Sequence, residues 1–425
     1  MRFTTALPLL ILYSAALAQG TPKPADQPEP KSVTVPLKLS HNRVVIDVDL
    51  RLSDGTTQRV RAWVDNGNPD LHMSRRLAVG TFSCDGQLCS VTPPVEMSIG
   101  GMTVPLGGKI PGAGIKEAWV PADDNAPIAP GLDAEVNIPA AVLSRYDVLI
   151  NFPDHQFTIG QSSSLKFNGV PAKVTVNPKN GLIQVPSQIE RKKYNLSLDL
   201  GESISFLSGE LFDKLSSTHP DWPHMTGAIG PANISGSADE PNWKLRRVDR
   251  LQYGPLFLTD VAVAEFPKDQ MTRLENRAGG LVAGLLGSEA LLNYRVGLDY
   301  AHSTVYFDIG RLFDIPDFDV IGLVLRPEDD GRFTVLGIAD YEGKPSVAQG
   351  DAGVRPGDHI IAVDGIPVHG STLGQVWSML SGSPGTQRTL TIERAGRQFD
   401  VAAQVQHFLG DVPQENQKKR SKKKN

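Results

Sequence analysis

The chain has 425 residues, room for two or three domains at about 150 residues each, which excludes a peptide hormone or a small disulfide scaffold. Hydrophobic residues at 40% against 21% charged exclude a disordered chain, and 42 basic against 47 acidic residues, a net charge of −5, argue against a nucleic-acid binder held by overall charge. Six of the basic residues crowd into Lys418, Lys419, Arg420, Lys422, Lys423 and Lys424, so the rest is more acidic still and residues 412–425 read as a solvated, disordered basic tail.

In chain order, Arg2, the apolar run Ala6 to Leu17 and the small-residue site Ala16-Leu17-Ala18 read as an export signal over residues 1–18. The run is shorter than a membrane span needs, so a periplasmic or secreted bacterial protein with no stable membrane span is expected. Residues 19–33 are rich in proline and charge and read as an extended linker. From Thr34 onward, short β-branched runs alternate with Gly, Asp, Asn and Pro, an all-β pattern. The two cysteines, Cys84 and Cys89, are too closely spaced and too isolated for zinc, so in an oxidising compartment a disulfide is expected. The nine histidines lack metal-ligand spacing, and neither a metal nor a cofactor is expected.

An internal repeat organises the first three quarters of the chain. Ala141 to Phe152, a turn, then Phe157 to Ile159 recurs as Glu289 to Tyr300, a turn, then Val305 to Phe307; both read as short helix, strand, tight turn, strand. Upstream of each copy a strand runs into Asp-x-Gly, first as Trp63-Val64-Asp65-Asn66-Gly67, then as Leu198-Asp199-Leu200-Gly201. The repeat predicts two lobes, residues 34–180 and 181–315. A third unit, residues 316–411, carries Gly353 to Val368 as turn, strand, Asp-Gly hairpin and strand, then a helix from Thr372 to Leu380 and a strand from Arg388 to Arg394.

Two Asp-x-Gly turns in quasi-symmetric lobes suit one chemistry. Carboxylates brought together share a proton; the charged member deprotonates a water while the neutral one polarises a carbonyl. The pattern resembles the bilobal aspartic proteases of the pepsin-like and retropepsin-like group. Asp65-Asn66-Gly67 and Asp199-Leu200-Gly201 stand where that family has Asp-Thr-Gly, Gly284-Leu285-Leu286-Gly287 resembles its hydrophobic-hydrophobic-glycine motif, and a close cysteine pair follows the first aspartate. The resemblance implies two β-barrel lobes and a catalytic pair, Asp65 and Asp199, acting on polypeptide at acid to mildly acid pH. Turn support would come from Asn66, Gly67, Leu200 and Gly201. The chain departs from the pattern in several places. Leu200 cannot hydrogen-bond, Glu202 adds a third acid, the first lobe offers Pro130-Gly131-Leu132-Asp133 for the hydrophobic-glycine motif, and the flap expected over 95–118 has no tyrosine.

The third unit resembles a PDZ domain, a β-sandwich with short helices. Val320-Ile321-Gly322-Leu323-Val324-Leu325 fits that family's glycine-containing loop and edge strand, which implies a peptide site at Ile321, Gly322, Leu323 and Val324. The resulting expectation is an exported aspartic-protease-like hydrolase whose PDZ domain captures extended peptide. The alternative is a catalytically degenerate pseudoprotease that keeps the groove as a peptide-binding module.

Overall fold

The computed structural model describes residues 29–412 apart from short segments at 53, 80, 92–94, 108–114, 124–125, 313–317, 342–343, 346 and 348–349. The expected signal, most of the linker and nearly all of the basic tail lie outside the described residues. Within them the chain is mainly β, with one closed six-stranded barrel, several open sheets and a C-terminal PDZ region.

The repeat builds the centre. Strands Tyr146–Asn151 and Gln156–Gln161 of the first copy, and Tyr294–Asp299 and Thr304–Ile309 of the second, join through antiparallel pairing of Tyr146–Asn151 with Tyr294–Asp299. Each outer flank takes one further strand, Ser32–Ser40 beside the first copy and Val170–Lys173 beside the second, so the six-stranded run reads the same from both ends. Leu149 pairs with Gly297, and these two are equivalent positions of the repeat. A pseudo-two-fold axis therefore passes through that pair. Gly297 is required there because a Cβ would run into the Phe167 ring.

The two copies differ in how they close. In the second, Ile183–Ile189, Lys192–Leu198, Gly284–Leu286, Ser205–Ser208, Leu256–Phe266 and Lys244–Tyr253 follow one another, and Ser187–Ile189 pairs back onto Leu251–Tyr253. The first does not close, a correction to the expected pair of barrels: Val136–Pro139, Thr57–Asp65 and Arg43–Arg51 form an open sheet with the hairpin Val95–Ile99 and Met102–Leu106 on its edge. That hairpin is not placed as a flap. Its tip, at Gly100, packs on Val33 and Val35 beside the central sheet, and Met97, Ile99, Val104 and Leu106 are fully buried. The expected flap's residues 108–114 lie outside the described residues.

The main sheet of the C-terminal unit runs in the order Leu323–Pro327, Phe333–Ile338, His359–Val363, Gln387–Arg394, Arg397–Gln404, with the short strand Ile366–Pro367 also paired to His359–Val363 and helix Leu373–Leu380 alongside. Thr372 caps that helix in a capping box with Gln375. The unit is not built to separate. Thr226 pairs with Asp340, and Phe206, Trp243 and Leu245 share one apolar core with Val324, Leu325 and Phe333.

Cys84 and Cys89 are cross-strand neighbours on a short hairpin and form a disulfide. Thiol labelling of the unreduced, denatured protein is expected to find no free thiol, and reduction to remove about 2 kcal/mol in the chain-entropy model. Gly297→Val is expected to lower stability by about 1–3 kcal/mol, read from the urea midpoint, because it overpacks the centre of the shared sheet against Phe167.

Candidate active site

Asp65 ends a strand and Asp199 directly follows one, and each of these strands has a neighbour that runs parallel to it. Thr57–Asp65 lies beside Val136–Pro139, with Asp65 opposite Pro139, and Lys192–Leu198 lies beside Gly284–Leu286, with Leu198 opposite Leu286. Gly284–Leu286, within the segment read as a hydrophobic-hydrophobic-glycine motif, is thus the second copy's partner strand. The first copy's counterpart is Val136–Pro139 and not the expected Pro130-Gly131-Leu132-Asp133, a loop whose carbonyl at Gly131 receives Leu373 of the C-terminal unit instead.

The two turns meet face to face across the pseudo-two-fold. A Cβ at Gly67 would fall inside the Asp199 carboxyl group, and one at Gly201 would lie 2.5 Å from Asp65 Oδ1. Both glycines are there to permit this approach. Asn66, fully buried, bridges the lobes: its Nδ2 donates to the Leu198 carbonyl at 2.8 Å, and its Oδ1 accepts from the Leu200 amide at 2.7 Å. The absent hydroxyl at Leu200 is therefore replaced from the other side, and the Leu200 side chain is free to pack fully into the core.

The carboxyls sit in unlike surroundings. Asp65 Oδ2 accepts from Asn137 Nδ2 at 3.2 Å, and Asn68 also donates to Asp65. Asp199 Oδ1 accepts only backbone amides, those of Gly201 at 3.0 Å and Glu202 at 3.1 Å. Burial raises Asp65 to about 7, opposed by Asn137. Asp199 is raised to about 8 by burial and by the charge of Asp65. Glu202 is raised to about 8 by burial and by Asp199, with Arg43 pulling the other way.

Sequence reasoning missed Asn137, Arg43, His41 and Glu240. Asn137 left a signal, since it is the one polar residue in the otherwise apolar run Val136-Asn137-Ile138-Pro139. Arg43 and His41 owe their places to a two-residue hairpin turn with positive φ at His41 (55°) and Asn42 (60°), the conformation that matches strand twist. Arg43 is buried within reach of the charges of Glu202, Asp65 and Glu240, with its guanidinium 5.9 Å from the Trp63 ring centroid. His41 is pushed down to about 3 by burial and by Arg43, and its ring faces the carbonyls of Pro231 and Gly230.

The residues expected to hold peptide on the C-terminal unit are buried: Ile321, Leu323 and Val324 are at most 2% exposed, and a Cβ at Gly322 would meet the Phe408 ring. The Ile321 amide donates to the Leu380 carbonyl at 3.0 Å, and the Leu323 amide donates to the Ile321 carbonyl at 2.7 Å. These two N–H groups are therefore already used within the unit. A pocket of about 1400 Å³ opens elsewhere, between Lys193–Asn195, Gly209–Leu211 and Lys268, and includes neither aspartate. Among the described residues no group of three or more His, Cys, Asp or Glu is arranged to hold a metal, and no helix is long and apolar enough to cross a membrane.

Because Asp65, Asp199 and Glu202 all hold protons more tightly folded than unfolded, the folded chain keeps protons that the unfolded chain has lost above about pH 4. Their contribution is fully present below that range and is lost as pH rises through the folded values, to about 8. His41, buried neutral, acts oppositely, losing stability as pH falls from 6.5 toward about 3. Asp199→Asn is expected to raise the melting temperature at pH 8, by about 1 °C for each kcal/mol relieved in a chain of this length, and leave it nearly unchanged at pH 4. Calorimetry of the two proteins across pH reads this directly, and an equal shift at both pH values contradicts it.

No curated protein matches the chain. Residues 346–394, which span the strand His359–Val363, the helix Leu373–Leu380 and the strand Gln387–Arg394, match the PDZ domain family, so a PDZ domain stands near the C-terminus.

Proposed function

We propose that the chain is an aspartic-protease-like peptide hydrolase in which Asp65 and Asp199 share one proton, with a PDZ domain that engages extended polypeptide. The observation that carries this reading is the reciprocal approach of the two Asp-x-Gly turns, each glycine making room for the other turn's aspartate. Asp65 takes the charged role, because Asn137 and Asn68 donate to it, and Asp199 holds the proton. Asp65 then removes a proton from water, whose oxygen bonds to the carbonyl carbon while the carbonyl oxygen takes the proton of Asp199. On collapse the C–N bond breaks, the amine takes the proton from Asp65, and Asp199 recovers its own from the gem-diol. No cofactor is needed, and with the expected export signal and the disulfide the substrates are polypeptides of an oxidising, periplasmic or external compartment.

Asp65→Asn and Asp199→Asn are each expected to abolish cleavage of an unfolded polypeptide. Since burial raises both carboxyls, the singly protonated pair is populated nearer neutrality than an unburied pair would be, and the activity optimum is expected near neutral pH. Asn66→Ala strands the Leu198 carbonyl and the Leu200 amide, and kcat is expected to fall on the order of 100-fold if the turns part by about 1 Å.

The second reading, a peptide-binding module without catalysis, is favoured by one observation: both carboxyls are buried, Asp65 only 2% exposed and Asp199 only 7%. Retention of unfolded polypeptide by the full chain without cleavage at any pH from 4 to 8 (about the range of the folded and unfolded carboxyls) decides for it.

A further inference from the structure

The strand Leu323–Pro327 ends the C-terminal sheet, and its outer edge is the place where an incoming extended peptide adds a strand. That edge is already taken from within the chain. The Asn233 carboxamide accepts from the Leu325 amide at 2.9 Å and donates to the Leu325 carbonyl at 2.9 Å, the two-point pairing that a partner strand's backbone makes. The pairing is built, since Asn233 is 4% exposed and its Nδ2 also donates to Glu240 Oε2 at 2.5 Å. Glu240, fully buried, gathers the rest of the loop on its Oε1, which accepts from the Ser235 amide at 2.9 Å, the Ser235 hydroxyl at 2.6 Å and the Gly236 amide at 3.0 Å. Gly236 in turn lies so close to the strand that a Cβ would stand 2.6 Å from the Arg326 Cα.

The same loop reaches the turn that follows Asp199. The Ser203 hydroxyl donates to the Pro231 carbonyl at 2.6 Å, and the neighbouring Glu202 amide donates to Asp199. On the other lobe, the His41 ring faces Gly230 and Pro231 and lies 5.4 Å from the Trp377 ring of helix Leu373–Leu380. The helix is held as well, by the Leu373 amide donating to the Gly131 carbonyl at 3.0 Å and by Gly374 packed on the His41 backbone. Both walls of the expected peptide groove, strand and helix, are thus pinned by the two lobes.

We propose that Asn233 is an internal latch on this edge, and that its competitor is an extended segment from the interior of a polypeptide. Such a segment matches the Leu325 backbone pair and needs no carboxylate cradle, which fits the prior use of the Ile321 and Leu323 amides. Taking the edge releases residues 230–240 and, through the Ser203–Pro231 hydrogen bond, loosens the turn that follows Asp199. This last step rests on the hydrolase reading; the latch itself does not.

The test uses the full mature chain and a pool of fluorescein-labelled decapeptides, randomised at their central positions and prepared both as C-terminal amides and as free acids. Asn233→Ala is expected to tighten binding about 10- to 30-fold, the cost of two competing hydrogen bonds, equally for amides and acids, and to speed exchange of the Leu325 amide by a similar factor until peptide is added. Glu240→Gln, which turns a donor toward the donor of Asn233 and keeps the side-chain volume, is expected to act in the same direction by less, and serves if the alanine variant does not fold. Equal affinity and equal Leu325 exchange in wild type and variant overturn the latch, and a strong preference for free acids overturns the assigned ligand. Stimulated cleavage in Asn233→Ala supports the coupling. If no protein cleaves while binding and exchange change as expected, the hydrolase reading fails and the latch stands.

Discussion

A carboxamide carries one donor group and one acceptor, the same pair as a peptide unit, and the meeting of the two lobes depends on Asn66 using its carboxamide in that way. It spans the Leu198 carbonyl and the Leu200 amide as a one-residue strand would, and fixes the register of one turn against the other. Asn137 repeats the device inside the first lobe, accepting from the His72 amide at 2.7 Å and donating to the Asp70 carbonyl at 2.9 Å while its Nδ2 also touches Asp65. Asn233 repeats it at Leu325. At these three junctions, where no ladder continues, a buried asparagine continues it. Loss of any one leaves backbone groups buried without partners, which costs more than the bonds themselves contribute.

The second constraint is charge. Three carboxyls and Arg43 are drawn into a site with little water, and burial outweighs every hydrogen bond offered to Asp65, Asp199 and Glu202. The site therefore holds protons that open water would remove, and the chain gives up stability near neutrality to keep these acids together. Such a cost at one cluster is characteristic of a place selected for chemistry or ligand control over packing.

Much of this was legible in the sequence because it is periodic or repeated. The copies Ala141 to Ile159 and Glu289 to Phe307 each announce a strand, a turn and a strand, since equal patterns fold alike, but not that the copies pair with each other. The Asp-x-Gly turns were visible for the same reason. What stayed hidden depends on tertiary approach. Nothing local to Val136–Pro139 marks it as the partner of Thr57–Asp65, because its proline stands where the second copy has Gly287 and the pattern is broken. The open first sheet, the packing of the Val95–Leu106 hairpin on Val33 and Val35, and the covering of Leu323–Pro327 are contacts between segments far apart in the chain, which no spacing rule records. Asn233 reads locally as an ordinary loop residue.

The pair Leu149 and Gly297 lies on the axis that relates the lobes, so each residue faces its own counterpart. In an assembly of two identical chains such a position must tolerate itself, and any change there is made twice. Joining the lobes in one chain removes that condition: Leu149 keeps its bulk while Gly297 yields its space to Phe167. Neither half now presents a surface complementary to itself at the axis, and the halves can no longer exchange places. The two halves meet there as unlike partners, one carrying an aspartate that accepts from a side-chain carboxamide and the other an aspartate that accepts from backbone amides.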